Sequence, residues 1–387
     1  MAGNRLTEVT PFLHVPEGFL RRFQDTRNAN ESISLAGTVV FLLLFLALAG
    51  GVGTLHLLKN RQLEWKVPLA WGGLVAGLMA LGQLNTLPLA WMNYDTALPT
   101  QVYVATLVVM AGLTLVAGTV ALALIFMAGE GLMRLGFPNQ IQQWKIWAPG
   151  VANSHPALGR TTAPYLVLGI ELGFVIAFYL ATSRFLGWWS PASALAVPDL
   201  LATPFPWLTA VSNSLFAATW EESIFRGIPI GAAAIMGRRH GKAGLWIWGA
   251  VILQALVFGA SHANYPQQPA YARVVEIFPT YLAWGAACVY FGLIPSIIAH
   301  FIYDLVFFSL PLFAADTTGI WLDRFMVIAA GLLPLAIVVG ARLRNGAAHT
   351  VPEWALNRNW RGRTSTETEP ESPGASVPSE FEPEDTP

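Results

Sequence analysis

Charge is scarce in this chain: Asp, Glu, Lys and Arg make up 12% of its 387 residues, while 54% are hydrophobic. Soluble domains carry about 25% charged residues, so the balance excludes an ordinary soluble domain and implies a polytopic membrane protein. The formal net charge is −1, which leaves no electrostatic footprint for nucleic acid. Basic residues then matter only through where they lie along the chain. Cysteine is nearly absent as well, Cys288 being alone, so a disulfide within the chain is excluded. Residues 1–34 lack a short apolar core ending in a small-residue cleavage site, and no removable signal peptide is expected. Two catalytic signatures are missing: neither Ser214 nor Ser223 sits in a Gly-x-Ser-x-Gly elbow, and no His-Glu-x-x-His pair occurs.

What the chain has instead is a series of long apolar runs, at about 36–58, 68–91, 101–128, 164–185, 206–236, 244–262, 277–292, 294–312 and 325–341. Most approach the roughly 20 residues that a spanning helix needs. The fold class is therefore all-α, a polytopic transmembrane helical bundle of nine spans, or eight if the short 277–292 run does not cross by itself. Residues 1–34 read as a polar N-terminal segment with a short interfacial helix, 35–205 as scaffold spans and linkers, and 206–312 as the functional core. A last span within 313–342 and a disordered acidic tail, 343–387, complete the division. The end of that tail, 364–387, holds seven acidic and no basic side chains, a composition that cannot bury enough apolar surface to order itself. The 129–163 linker, with Trp144, Trp147, Pro138, Pro149 and Pro156, reads as an interfacial connector. Basic clusters after the first span, in that linker, after the fifth span and beyond the last one put these loops on the cytoplasmic side, and nine spans then leave the N-terminus outside.

Within this apolar background Trp220-Glu221-Glu222-Ser223-Ile224-Phe225-Arg226-Gly227 stands out. A charge near the bilayer centre costs at least about 2.5–3.5 kcal/mol, so ionisable residues inside spans mark function by default. At helical spacing Glu222 and Arg226 share a face and can pair, while Glu221 projects to one side. A purely structural ion pair accounts for Glu222 and Arg226 but leaves Glu221 unexplained. Two more polar insertions follow, Phe258-Gly-Ala-Ser-His262 and His300-Phe-Ile-Tyr-Asp304, both with i, i+4 spacing. Several helices converging on one polar pocket would produce this pattern. Glu171 in the fourth span is a further intramembrane carboxylate, which could line the same cavity, snorkel or pair locally.

The inventory permits two chemistries. A carboxylate or histidine can take a proton from water while a neighbouring donor holds the oxyanion of an amide carbonyl, giving peptide hydrolysis without a nucleophilic side chain. The same Glu, His, His and Asp could instead hold a divalent metal such as zinc, with an open water position. The spacing does not choose between them. A rival of another class is a catalytically silent membrane scaffold, an immunity-type protein or a transporter that uses the same polar cavity, since intramembrane Glu, His and Arg also mark transport routes.

The three motifs, Glu-Glu-x-x-x-Arg, Phe-x-x-x-His and His-x-x-x-Asp in that order on separate spans, resemble the CPBP intramembrane proteases. These are also called the Abi or CAAX prenyl protease type 2 family and include the Ras-converting endopeptidase. The resemblance covers about 206–312. It implies an intramembrane endopeptidase acting on a peptide or protein substrate at the lipid bilayer, membrane-associated or prenylated, in the plasma membrane of a prokaryote. It further implies that Glu221 activates water with help from His262, that Glu222 and Arg226 hold the site together, and that His300 with Asp304 binds the oxyanion. The better-known members carry Asn where this chain has Asp304. An amide donates to an oxyanion and an ionised carboxylate repels it, so Asp304 is either protonated, an orienter of His300, or part of a metal site.

Overall fold

The computed structural model describes residues 14–190 and 197–360, so residues 1–13, 191–196 and the acidic stretch 361–387 lie outside it. Among the described residues the chain is helical, with isolated backbone bridges and no strands. Nine long helices are numbered here in chain order. They are α1 (Glu17–Lys59), α2 (Lys66–Asn85), α3 (Thr100–Gly136), α4 (His155–Leu186), α5, α6 (Ala243–Ser261), α7 (Ala272–Phe291), α8 (Leu293–Ala314) and α9 (Ile320–Asn345). α5 runs as Pro206–Glu222, loosens into a π-helical turn at Ser223–Gly227, and continues as Ile228–Arg239.

Eight of the nine are long and apolar enough to cross a membrane; the exception is α5. The protein is an integral membrane bundle, as expected: eight of the nine apolar runs form helices with the apolarity of lipid-facing spans, among them the short seventh run, and the ninth helix is α5. The reason lies in packing. α5 is enclosed by α2, α3, α6 and α8, so most of its surface meets protein, and side chains too polar for lipid are tolerated along it. Close approach to α3 depends on Gly231, where an added Cβ would stand 2.7 Å from the Leu132 backbone. Around this contact Phe45, Leu132, Ile224, Phe225, Ile228, Val257 and Phe258 form one apolar cluster.

The N-terminal segment differs from its expected form. Instead of a short interfacial helix followed by a span, α1 is one 43-residue helix. Its polar first half is held against the end of α6: Asn30 is fully buried and donates to the carbonyls of Ala263 and Gln267 at 2.9 and 3.1 Å, and Ser34 donates to Ser261 O. Gly37 completes the contact, since a Cβ there would meet Ser261 N at 2.5 Å. Residues 346–360, grouped by composition with the acidic tail, are also folded onto the bundle. Asn357 donates to Phe137 O, and the Arg134 guanidinium lies 3.6 Å over the Trp360 ring.

Loops gather at two ends. At one end Arg134 reaches Gln62 O, Arg238 reaches Leu135 O and Asn153 reaches Gly346 O, which joins the basic loops that follow α1, α3, α5 and α9. At the other end Asn85 binds Phe205 O, and Trp189 pairs with Gln268. α7 and α8 form a hairpin whose turn is Gly292, with φ of 91°, a conformation that side chains other than glycine adopt at a cost.

Candidate active site

Glu221 lies mid-way along α5, roughly 22 Å from Pro206 and 27 Å from Arg239 at about 1.5 Å per residue. The π-helical turn begins two residues later, at Ser223. Such single-turn expansions often accompany functional sites, because they change which side chains face inward. Here the turn packs against Gly129 of α3, where a Cβ would stand 3.4 Å from that of Ser223 and 3.5 Å from its carbonyl oxygen.

The Glu222 carboxylate is the hub. Its Oε1 accepts from Arg226 Nη1 at 2.5 Å and from His300 Nδ1 at 2.9 Å. Arg226 is the largest fully buried side chain and is enclosed by three aromatic rings, with Cζ 4.4 Å from the Tyr281 centroid, 5.0 Å from Phe258 and 5.4 Å from Trp284. Its Nε and Nη2 have no hydrogen-bond acceptor. The ring faces carry partial negative charge and take over part of that role. Gln254 fixes the Tyr281 segment by donating to its carbonyl at 2.8 Å.

Two histidines converge on Glu221 from different helices. His262, just past the end of α6, places its Nδ1 2.9 Å from the Phe258 carbonyl and stacks on the Phe258 ring at 4.2 Å. A carbonyl can only accept, so Nδ1 carries the proton and Nε2 is left as a base in the neutral ring. That Nε2 stands 3.9 Å from Glu221 Oε2, which has no partner of its own. The gap is too long for a direct hydrogen bond and short enough for one water to bridge. His300 presents its Nε2 to the same Glu221 oxygen at 3.9 Å and to Asp304 Oδ2 at 3.4 Å. Its Nδ1 is committed to Glu222.

All six residues singled out by the motifs thus lie in one cluster drawn from α5, the end of α6 and α8. The side chains of Glu221, His262 and Asp304 keep 13–23% exposure, whereas Glu222 and Arg226 have none. The first three are partly accessible; the last two are sealed. Glu171 does not join the cluster. It accepts from Trp284 Nε1, and the Trp284 ring lies 5.5 Å from that of His300, so of the three expected placements it takes the pairing. Ser214 and Ser223 are buried and bonded to carbonyls one turn back, which leaves neither as a nucleophile.

A divalent metal was the alternative use of these donors. Among the described residues no group of three or more His, Cys, Asp or Glu side chains is placed to hold one; the Nδ1 atoms of both histidines are engaged, while their Nε2 atoms face Glu221 Oε2.

Sequence reasoning missed Tyr281, Trp284 and Gln254, which enclose and hold Arg226, and Asn30, which holds the loop after His262. Asn30, Ser34 and Gly37 did leave a signal: at i, i+4 and i+7 they form a stripe of small and polar residues on one helix face.

Comparison with known proteins adds one positive finding. Residues 203–306 match the family described as Rce1-like, type II CAAX prenyl endopeptidase Rce1-like. Neither the curated proteins nor the solved structures gave a match. The matched residues hold all six side chains of the cluster, so over this segment, about a quarter of the chain, the protein is similar to the Rce1-like type II CAAX prenyl endopeptidases.

Proposed function

We propose that the protein is an intramembrane endopeptidase that hydrolyses a peptide bond of a membrane-associated or prenylated substrate, with water as the nucleophile. The observation that carries this reading is the unpartnered Glu221 Oε2 facing the free Nε2 of His262 across 3.9 Å. A water held between them gives one proton to Glu221 as its oxygen attacks the scissile carbonyl carbon. The carbonyl π pair moves to oxygen, and the resulting oxyanion needs a donor. His300 supplies it as an imidazolium: Nδ1–H donates to Glu222 Oε1, which fixes the ring, and Nε2–H donates to the oxyanion, the ring's charge being balanced by the Glu222 and Asp304 carboxylates beside it. Collapse of the tetrahedral species breaks the C–N bond, and Glu221 returns the proton to the leaving amine. Glu222 and Arg226 act through position: the closed pair keeps His300 in register with Glu221.

The other buried ion pairs, Glu130 with Arg134 and Glu276 with Arg273, are each closed within one helix. Neither offers the free carboxylate that a carrier would load and release, which favours the hydrolase over the transporter reading. A prokaryotic plasma membrane is the proposed location.

The test is cleavage of a farnesylated peptide with a free C-terminus, and of its unprenylated counterpart, by wild type and Glu221→Gln. A general base contributes about 10²–10⁴-fold, so the variant is expected to lose at least about a hundredfold while its thermal unfolding stays unchanged. Cleavage within a few-fold of wild type removes Glu221 from the mechanism.

A further inference from the structure

Between α4 and the α7–α8 hairpin lies a cavity of about 490 Å³, within the roughly 300–1,000 Å³ of sites that hold small molecules. Gly159, Ala163 and Val167 form one wall, and Ala287, Phe291 and Pro295 the other. The glycine and alanines keep the helices from filling the space between them. The lining holds one charged side chain, Arg160. Arg134, Arg226 and Arg273 are each closed on a glutamate three or four residues away. Arg160 differs from them: among the described residues no carboxylate lies within ion-pair distance of it.

Its position adds direction. α4 starts at the end where Asn153 and His155 bind the 346–348 segment, the end that gathers the basic loops. The positive-inside rule assigns that end to the cytoplasmic leaflet, whose anionic lipids attract basic side chains. A half-buried guanidinium without an acidic partner is complemented by a phosphate or other anion, which its planar fork can take in bidentate fashion. The apolar walls beyond it complement a hydrocarbon chain.

We propose that this cavity binds an anionic phospholipid, with the headgroup phosphate on Arg160 and one acyl chain between α4 and the hairpin. The inner end of the cavity is formed by Trp284 and Ala299. Trp284 packs on Arg226 and His300, so an occupant touches the back of the ring that supports the catalytic cluster. The site is independent of the protease reading, because its occupancy is measured without cleavage.

The test uses the full chain purified in a neutral detergent. Phosphatidylglycerol and phosphatidylcholine with identical chains are titrated in turn, with bound lipid counted by native mass spectrometry and stabilisation read from thermal unfolding. Wild type is expected to bind phosphatidylglycerol more tightly. Arg160→Ala, with Arg160→Gln as a second variant should the first fail to fold, is expected to weaken it about fivefold, the factor for one cation near an anionic surface, and so bring the two lipids level. Val167→Trp fills the cavity and lowers the affinity of both lipids, while Glu221→Gln binds as wild type does. Equal binding of the two lipids by wild type overturns the proposal, as does unchanged phosphatidylglycerol affinity in the Arg160 variants. If Val167→Trp impairs binding of a farnesylated peptide and leaves phosphatidylglycerol untouched, the cavity belongs to the substrate and the lipid assignment fails.

Discussion

Replacing Arg226 by methionine tests the hub of the site. Arg226→Met keeps most of the side-chain stem among Tyr281, Phe258 and Trp284 and removes the cation. The Glu222 carboxylate, with no exposure, then loses its 2.5 Å donor and retains only His300 Nδ1 at 2.9 Å. Breaking a buried pair costs about 3–5 kcal/mol because a buried charge is left uncompensated. His300 stays on the same oxygen, so the low end applies, and about 3 kcal/mol is roughly a hundredfold in the folding equilibrium. The companion variant Glu222→Gln/Arg226→Met carries neither charge. Since apolar or neutral replacement of a whole buried pair is often close to neutral, the double variant is expected to be at least about 1 kcal/mol more stable than Arg226→Met alone, within the range of measured couplings between contacting residues. Reversible unfolding of wild type, Glu222→Gln, Arg226→Met and the double variant in one detergent closes the cycle. Wild-type stability in Arg226→Met, or a double variant as unstable as the sum of the singles, would refute the pairing as the support of the site.

Asp304→Asn keeps shape and supplies an amide donor near His300 Nε2, and cleavage is expected to be retained or raised; an inactive variant restored by added divalent metal, together with chelator-sensitive wild type, would instead make Asp304 a ligand. Asn30→Ala removes the donor shared by the Ala263 and Gln267 carbonyls, and about 1–3 kcal/mol of stability should go with it; hydrogen exchange should quicken at 263–270 while α9 is unaffected, and uniform exchange would argue against the brace. Truncation after Trp360 should leave thermal stability within about 0.5 kcal/mol of wild type, whereas truncation after Asn345 exposes the Arg134 face that Trp360 covers and should lower it measurably.

The sequence was sufficient for the class of fold and for the identity of the cluster, and the physics explains why. Hydrophobic run length alone decides whether a helix can span a bilayer, and the cost of burying charge makes Glu221, Glu222, Arg226, His262, His300 and Asp304 conspicuous wherever they occur in such runs. Helical spacing likewise anticipated the Glu222–Arg226 pair, since i, i+4 contacts are local. It could not tell whether α5 counts among the lipid-facing spans, because that depends on which neighbours enclose it. Nor could it fix the partner of Glu171 or the aromatic enclosure of Arg226, which arise between helices more than thirty residues apart in sequence. The placement of Asn30 against the loop after His262, and of residues 346–360 against the connector, was hidden for the same reason: polar composition reads as solvated until tertiary structure supplies carbonyls and aromatic faces to bury it. Periodicity and transfer cost are properties of the chain; which helix stands beside which, and therefore which oxygen each histidine faces, is decided only by packing.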